Sequence, residues 1–223
     1  MGRTQTRNVI FGALFALVFL FACKNPNTHK PDVELVGAGT LVTSDAQSKE
    51  YTVDTSASML YWKAYKLMGS GHDGGLRCNG GKILMKDSLP VGGEVIMNME
   101  SISVMDIEDS EKNANLVSHL KDADFFETGK YPLATLKILG AYKKEGKKAL
   151  VKVSLEIKGS AREIELPVTV VWNQGFVDIS GETKINRKDW GINYHSEGSV
   201  AGLAKDKIIK DDIDVRWQLK LLE

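Results

Sequence analysis

Residues 213–221 read Ile213-Asp214-Val215-Arg216-Trp217-Gln218-Leu219-Lys220-Leu221. Every second residue is apolar, and those between are polar or charged. Successive side chains of a β-strand point to opposite faces, so this alternation describes a strand with one dry face and one wet face. The same period recurs upstream. Residues 149–157 set Ala149, Val151, Val153, Leu155 and Ile157 against Lys152, Ser154 and Glu156. Residues 163–171 set Ile164, Leu166, Val168 and Val170 against Glu163, Glu165 and Thr169. Residues 176–185 set Val177, Ile179 and Ile185 against Asp178, Glu182 and Lys184. Turn chemistry separates these runs at Lys144-Glu145-Gly146, Lys158-Gly159-Ser160 and Asn173-Gln174-Gly175. Further strand candidates are 59–67, 75–86, 93–104 and 132–142.

One segment breaks the period of two. Residues 111–121, EKNANLVSHLK, hold Leu116, Val117 and Leu120 at helical spacing, which predicts a short helix across a barrel mouth or sheet edge. The fold expected is all-β: a single domain over 51–223 with eight or nine antiparallel strands and one short helix. Many evenly spaced strands imply a sandwich or a barrel. Closing the sheet removes the exposed edges that such a chain must manage. About eight strands leave an interior wide enough for one elongated small ligand.

The N-terminus differs from the rest. Residues 1–22 carry Arg3 and Arg7 as their only charges, with the apolar run VIFGALFALVFLFA at 9–22 after them. This reads as a secretory signal peptide; about 14 apolar residues are short for a membrane span. The sequence Leu20-Phe21-Ala22-Cys23 resembles the lipobox of bacterial lipoproteins. That resemblance implies cleavage before Cys23 and lipidation of its thiol, with several acyl chains anchoring the protein stably. Ordinary cleavage near Ala22 is the alternative. Residues 24–50 contain Pro26, Pro31, Gly37 and Gly39 and show no period. Together with Cys23 they read as a flexible tether over 23–50, with a reach of about 30 Å. Without Arg3 and Arg7, the 29 basic residues fall to 27 against 29 acidic ones. That balance offers no electrostatic footprint for nucleic acid. Cys78 is then the one remaining thiol, so no intrachain disulfide is expected.

The stretch Gly69-Ser70-Gly71-His72-Asp73-Gly74 fits a G-x-G-x-x-G dinucleotide pattern. Such a pattern cradles a pyrophosphate only where a helix begins after it. The next residues, Leu76 to Met85, have no helical period and include Gly80-Gly81. The dinucleotide reading fails on context, and the stretch reads as a glycine-rich connection between strands.

Several stretches together resemble a known family. They are Leu116-Val117-Ser118-His119-Leu120-Lys121-Asp122-Ala123-Asp124-Phe125-Phe126, then Tyr131-Pro132, then Leu155 to Gly159 leading to Leu166-Pro167-Val168-Thr169-Val170, and Arg187-Lys188-Asp189-Trp190-Gly191-Ile192. With Trp62 and the Gly71-His72 pair, they are similar to the YceI-like, polyisoprenoid-binding family from about Tyr51 to Leu222. The resemblance implies an extended, lipocalin-like antiparallel barrel that holds a long isoprenoid chain, export to the periplasm, and no catalytic apparatus.

The inward faces supply the candidate site residues. The cavity lining expected is Trp62, Val95, Met97, Phe125, Phe126, Leu136, Val153, Leu155, Val170, Trp190 and Trp217, each of which would serve equally as core. A polar mouth is expected from His72, Arg77 and His119. His72, His119 and His195 are dispersed, without metal-ligand spacing, so no metal is expected. Cys78 has no adjacent base in the sequence and reads as a small buried hydrophobe. An enzyme would need two titratable groups among His72, Cys78, His119 and Asp124 to converge in the cavity.

The function expected is that of an exported, lipid-anchored carrier or sequestering protein. Its partner is an isoprenoid or other long-chain lipid, of quinone or prenyl phosphate type, held in the barrel. It meets the membrane through its N-terminal lipid anchor. The location is the cell envelope, periplasm-facing, with the outer membrane preferred. No catalytic residue, cofactor or nucleic-acid partner is expected, and homodimer formation is left open. The alternative is a structural or interaction lipoprotein with a filled barrel. Strand alternation cannot separate the two, because a packed and a hollow interior need the same pattern.

Overall fold

The computed structural model describes residues 1–2, 40–199 and 201–223. Residues 3–39, which hold most of the expected export signal, Cys23 and most of the expected tether, lie outside the described residues. The described residues form nine strands and one α-helix: β1 (Lys49–Val53), β2 (Met59–Tyr65), β3 (Gly71–Lys86), β4 (Leu89–Val104), α1 (Ser110–Lys121), β5 (Leu133–Lys143), β6 (Lys148–Ile157), β7 (Ser160–Asn173), β8 (Phe176–Asn186) and β9 (Asp212–Leu222).

Eight strands close into an antiparallel barrel in the order β3-β2-β9-β8-β7-β6-β5-β4, with β4 returning to β3. Strand β1 stands outside this ring. It pairs with the far half of β3 and with the last residues of β9, beyond the point where β2 ends. The alternation in 213–221 appears as a full ladder, with Ile213, Val215, Trp217, Leu219 and Leu221 opposite Ile185, Thr183, Gly181, Ile179 and Val177 of β8. Two tight hairpins use two-residue turns with both residues at positive φ: Asp87-Ser88 and Lys158-Gly159. Such turns match the natural twist of the strands they join. Helix α1 starts at Asp109, whose carboxylate accepts from the backbone N–H groups of Glu111 and Lys112. That cap satisfies two of the donors a helix start leaves free.

Two segments differ from the sequence reading. The glycine-rich stretch is a connection only at Gly69-Ser70: Gly71 to Gly75 is the first part of β3, paired with β2 from Tyr65↔Gly71 to Tyr61↔Gly75. A Cβ at Gly74 would lie 2.7 Å from Trp62 Cζ2 and 1.8 Å from the Ser103 carbonyl oxygen, so glycine there makes room for an inward indole. The described end of the expected tether, residues 40–50, belongs to the barrel. Val42 exchanges backbone hydrogen bonds with Ala141, Asp45 pairs with Lys86, and Lys49-Glu50 opens β1. The ladder between β4 and β5 covers only Glu94–Asn98 and Leu133–Lys137. Val42 meets β5 beyond that ladder, where an unpaired edge would otherwise stand open.

The barrel has two ends. One carries the β2–β3, β6–β7 and β8–β9 connections and α1. The other carries the β3–β4, β5–β6 and β7–β8 turns and is packed by Val53, Ala141, Ala149, Val177 and Leu221, all nearly inaccessible.

Candidate functional site: an apolar cavity inside the barrel

The inward faces do not meet in the middle. They enclose an apolar cavity of about 200 Å³ whose wall draws on every strand of the ring, with Leu120 of α1 and Phe125 and Phe126 beyond it. An empty apolar space of about 150 Å³ already accepts benzene in another protein. Drug-sized pockets run to roughly 300–1,000 Å³, so this space suits a slender chain better than a bulky folded guest.

The structure brings together nine of the expected lining residues: Trp62, Val95, Met97, Phe125, Phe126, Leu136, Val153, Leu155 and Trp217. Phe125 and Phe126, though adjacent, both reach the cavity, because they lie in an irregular turn after α1 rather than in a strand. Lys158 holds this turn by donating to the carbonyls of Ala123 and Phe125 at 2.6 and 2.7 Å.

Two expected lining residues are elsewhere. Val170 is buried but sits past Val168 toward the tight-turn end, in core packing rather than in the cavity wall. Trp190 is 2 % exposed in a 3₁₀ turn (Arg187–Trp190), and its Nε1–H donates to the Leu155 carbonyl at 3.0 Å. It fastens that turn to β6 instead of lining the cavity.

The expected polar mouth is not assembled. Arg77 falls between buried Leu76 and Cys78 on β3, so it points outward and is exposed. His72 shares the face of Ala64, but its Nδ1 meets Asp106 at 2.9 Å and the ring stays out of the cavity wall. Burial pushes the Asp106 carboxyl up, but hydrogen bonds from His72 and from the backbone outweigh this and hold it below its usual value. His119 lies on the outer side of α1. Its Nε2 is 3.2 Å from Asp124, and its ring packs edge-on against Phe125 and Tyr194.

His119 and Asp124 are thus a titratable pair in contact, but both are substantially exposed and neither lines the cavity. Cys78 is buried against Met97 Sδ at 3.6 Å, and burial pushes its thiol up to about 11. A thiol so raised is a poor nucleophile at neutral pH. Among the described residues, no three His, Cys, Asp or Glu side chains gather in a metal-holding group.

Arg187 entered the sequence reading only as part of the family resemblance, with no site role. It is 2 % exposed and borders the cavity, yet its guanidinium is turned away into the β8–β9 connection. It donates to the carbonyls of Lys210, Ile192, Tyr194 and Ile209 at 2.9–3.2 Å. Burial pulls its pKa down, and Asp211 at 3.8 Å opposes this. Ile192 and Ile209, held by the same cation, complete the cavity wall at this end.

A sequence model of the YceI-like domain matches residues 51–221. No curated protein sequence matches the chain. Solved structures share the fold, among them the following two. BcnA of Burkholderia cenocepacia is 20 % identical with a TM-score of 0.55, covering 75 % of this chain and 98 % of that one. A polyisoprenoid binding domain from Saccharophagus degradans is 17 % identical with a TM-score of 0.56, covering 77 % and 97 %. With more than half of its length matched by that one domain, and with the barrel and cavity described above, the chain belongs to the YceI-like domain family.

Proposed function

We propose that this protein binds a long apolar chain, of polyisoprenoid or related lipid type, along the axis of its barrel. The observation that carries this reading is the continuous apolar cavity, walled by all eight strands of the ring. Each buried CH₂ contributes about 0.8 kcal/mol, so a chain of about ten carbons gains enough without many polar contacts. The Saccharophagus neighbour, a polyisoprenoid binding domain of the same fold, supports the ligand class. Membership in the family supports a binding role rather than a catalytic one. The raised Cys78 thiol and the outward-lying His119–Asp124 pair fit that role, since neither supplies a nucleophile to the cavity.

The finer reading adds location. The apolar run at 9–22 and Cys23 support export to the cell envelope, with a lipid anchor on the periplasmic side, and a carrier or sequestering duty there. The filled-barrel alternative is not favoured, because the interior is hollow. The test is native mass spectrometry with lipid extraction of the purified full chain. A co-purified or added long-chain isoprenoid at one per chain supports the reading. No lipid recovered, and no uptake of added isoprenoids, refutes it.

A further inference from the structure

The chain's 29 basic and 29 acidic residues balance overall but not locally. The turn between β5 and β6 reads Lys143-Lys144-Glu145-Gly146-Lys147-Lys148, four lysines against one acid. Lys143, Lys147 and Lys148 are exposed and Lys144 is half-buried. Among the described residues, none of the four forms an ion pair. Lysines on β1 and β3 are neutralised instead: Lys49 by Glu223, Lys82 by Glu50 and Lys86 by Asp45. At the end that carries α1 the balance is reversed. There Asp106, Glu108, Asp109 and Glu111 lead into the helix, with Lys112 the one base among residues 106–112.

Beside the lysine turn stands an exposed aromatic. The Val170 N–H donates to the Lys147 carbonyl at 2.9 Å, which fixes the end of β7 against the turn. Trp172 follows two residues, roughly 7 Å, further along the strand, and is 45 % exposed. Its ring rests edge-on against Tyr51 of β1, with centroids 5.7 Å apart. A half-held indole suits the headgroup level of a membrane, where its apolar body and polar N–H both find a place. Unpaired ammonium groups beside it suit anionic lipid.

The course of the chain selects a lipid surface as the occupant. The described domain begins at Thr40, and Val42 exchanges backbone hydrogen bonds with Ala141, two residues before Lys143. The upstream segment, which holds the apolar run at 9–22 and Cys23, therefore joins the domain at the lysine turn and not at the α1 end.

We propose that the tight-turn end of the barrel is a docking surface for an anionic lipid bilayer. Lys143, Lys144, Lys147 and Lys148 meet the headgroups, and Trp172 enters at their level. The acidic α1 end points away from the bilayer. This docking is independent of whether the cavity carries a guest.

The experiment mixes the purified full chain with vesicles of phosphatidylglycerol and phosphatidylcholine, or of phosphatidylcholine alone, and reads binding by cosedimentation. Each lysine near an anionic surface is worth about fivefold in affinity. The anionic vesicles are therefore expected to bind at least tenfold more tightly. That preference should vanish in 1 M salt, where charges are screened beyond about 3 Å. Changing Lys143, Lys144, Lys147 and Lys148 together to Gln should abolish it. Changing four exposed lysines of the α1 end, Lys66, Lys112, Lys205 and Lys207, to Gln should leave it within about twofold. Brominated lipid should quench the tryptophan fluorescence of the bound protein, and Trp172→Phe should remove most of that quenching. Equal binding to both vesicles, a preference that survives the loss of the turn lysines, or quenching that does not depend on Trp172 would each overturn the proposal and leave the lipid-binding cavity untouched. Should the lysine variant not fold, the salt dependence and the Trp172 quenching still decide.

Discussion

The two ends of this barrel are closed in different ways. At the tight-turn end, strand residues do the sealing: Val177, Leu221, Ala141 and Ala149 are essentially inaccessible, and β1 and Val42 add backbone pairing outside them. At the other end, the seal is made by a turn, a helix and a long connection. Phe125 and Phe126 are held through two carbonyl contacts to Lys158, and Ile192 and Ile209 through Arg187. Strand ladders and dense apolar packing open only with the whole domain. A connection fixed by side-chain-to-carbonyl hydrogen bonds can open locally at lower free energy. One end is built as core and the other as a closure.

Substitutions that strike each end differently test this contrast. The largest effect is expected for Leu221→Ala, which removes a fully buried side chain from the sealed end and should cost about 2–5 kcal/mol of unfolding free energy. A loss below about 1 kcal/mol in urea denaturation would show that the sealed end is not core. Next comes Arg187→Met. It leaves four carbonyls without their donor, so a loss of about 1–3 kcal/mol is expected. Its signature is local: amide exchange should quicken across 187–211 and not in β1 or β9. Uniform acceleration through the barrel would erase the distinction between the ends.

A smaller stability change but a larger binding change is expected for Val153→Phe. Val153 lines the cavity at mid-barrel and is wholly inaccessible to solvent. Overfilling costs about 1–3 kcal/mol in a tight core and less where there is space to fill. Guest uptake, read by native mass spectrometry, should drop at least tenfold; unchanged uptake would place the guest elsewhere.

The smallest effect concerns pH. Asp106 has its carboxyl held below the ordinary value in the folded protein. A depressed carboxylate contributes stability above its unfolded pKa of about 4, and that contribution is lost as pH falls through the folded value. Asp106→Asn should therefore lower Tm slightly at pH 7 and by less as the pH is taken down below the ordinary carboxylate range. An equal change across that span of pH would sever the His72–Asp106 contact from the stability of the helix end.

The strand ladders were legible because alternation is a property of side chains. The run 213–221 became β9, and 149–157 became β6, within a residue at each end. The helix at 111–121 was legible for the same reason, through Leu116, Val117 and Leu120. What lacked a side-chain period was missed. Gly71 to Gly75 carries no apolar rhythm, yet it is strand, since Gly74 must yield space to Trp62. Residues 40–50 join the barrel through a lone bridge and a five-residue strand, too little for any period to register. Alternation also tells which face a residue takes and not how far along the barrel it lies. Val168 and Val170 share a face, yet only Val168 reaches the cavity. Whether the interior was hollow could not be read at all. Nor could the buried cation of Arg187, because it depends on partners distant in the chain.

The central claim is that the hollow interior is occupied by an oily chain. Native mass spectrometry of the purified full-length protein, before and after organic extraction, measures this directly. The account predicts one long-chain lipid per protein, removable by solvent and restored on adding a prenylated compound, with Val153→Phe unable to take it back. A protein that carries nothing, accepts nothing and behaves identically to Val153→Phe would contradict it.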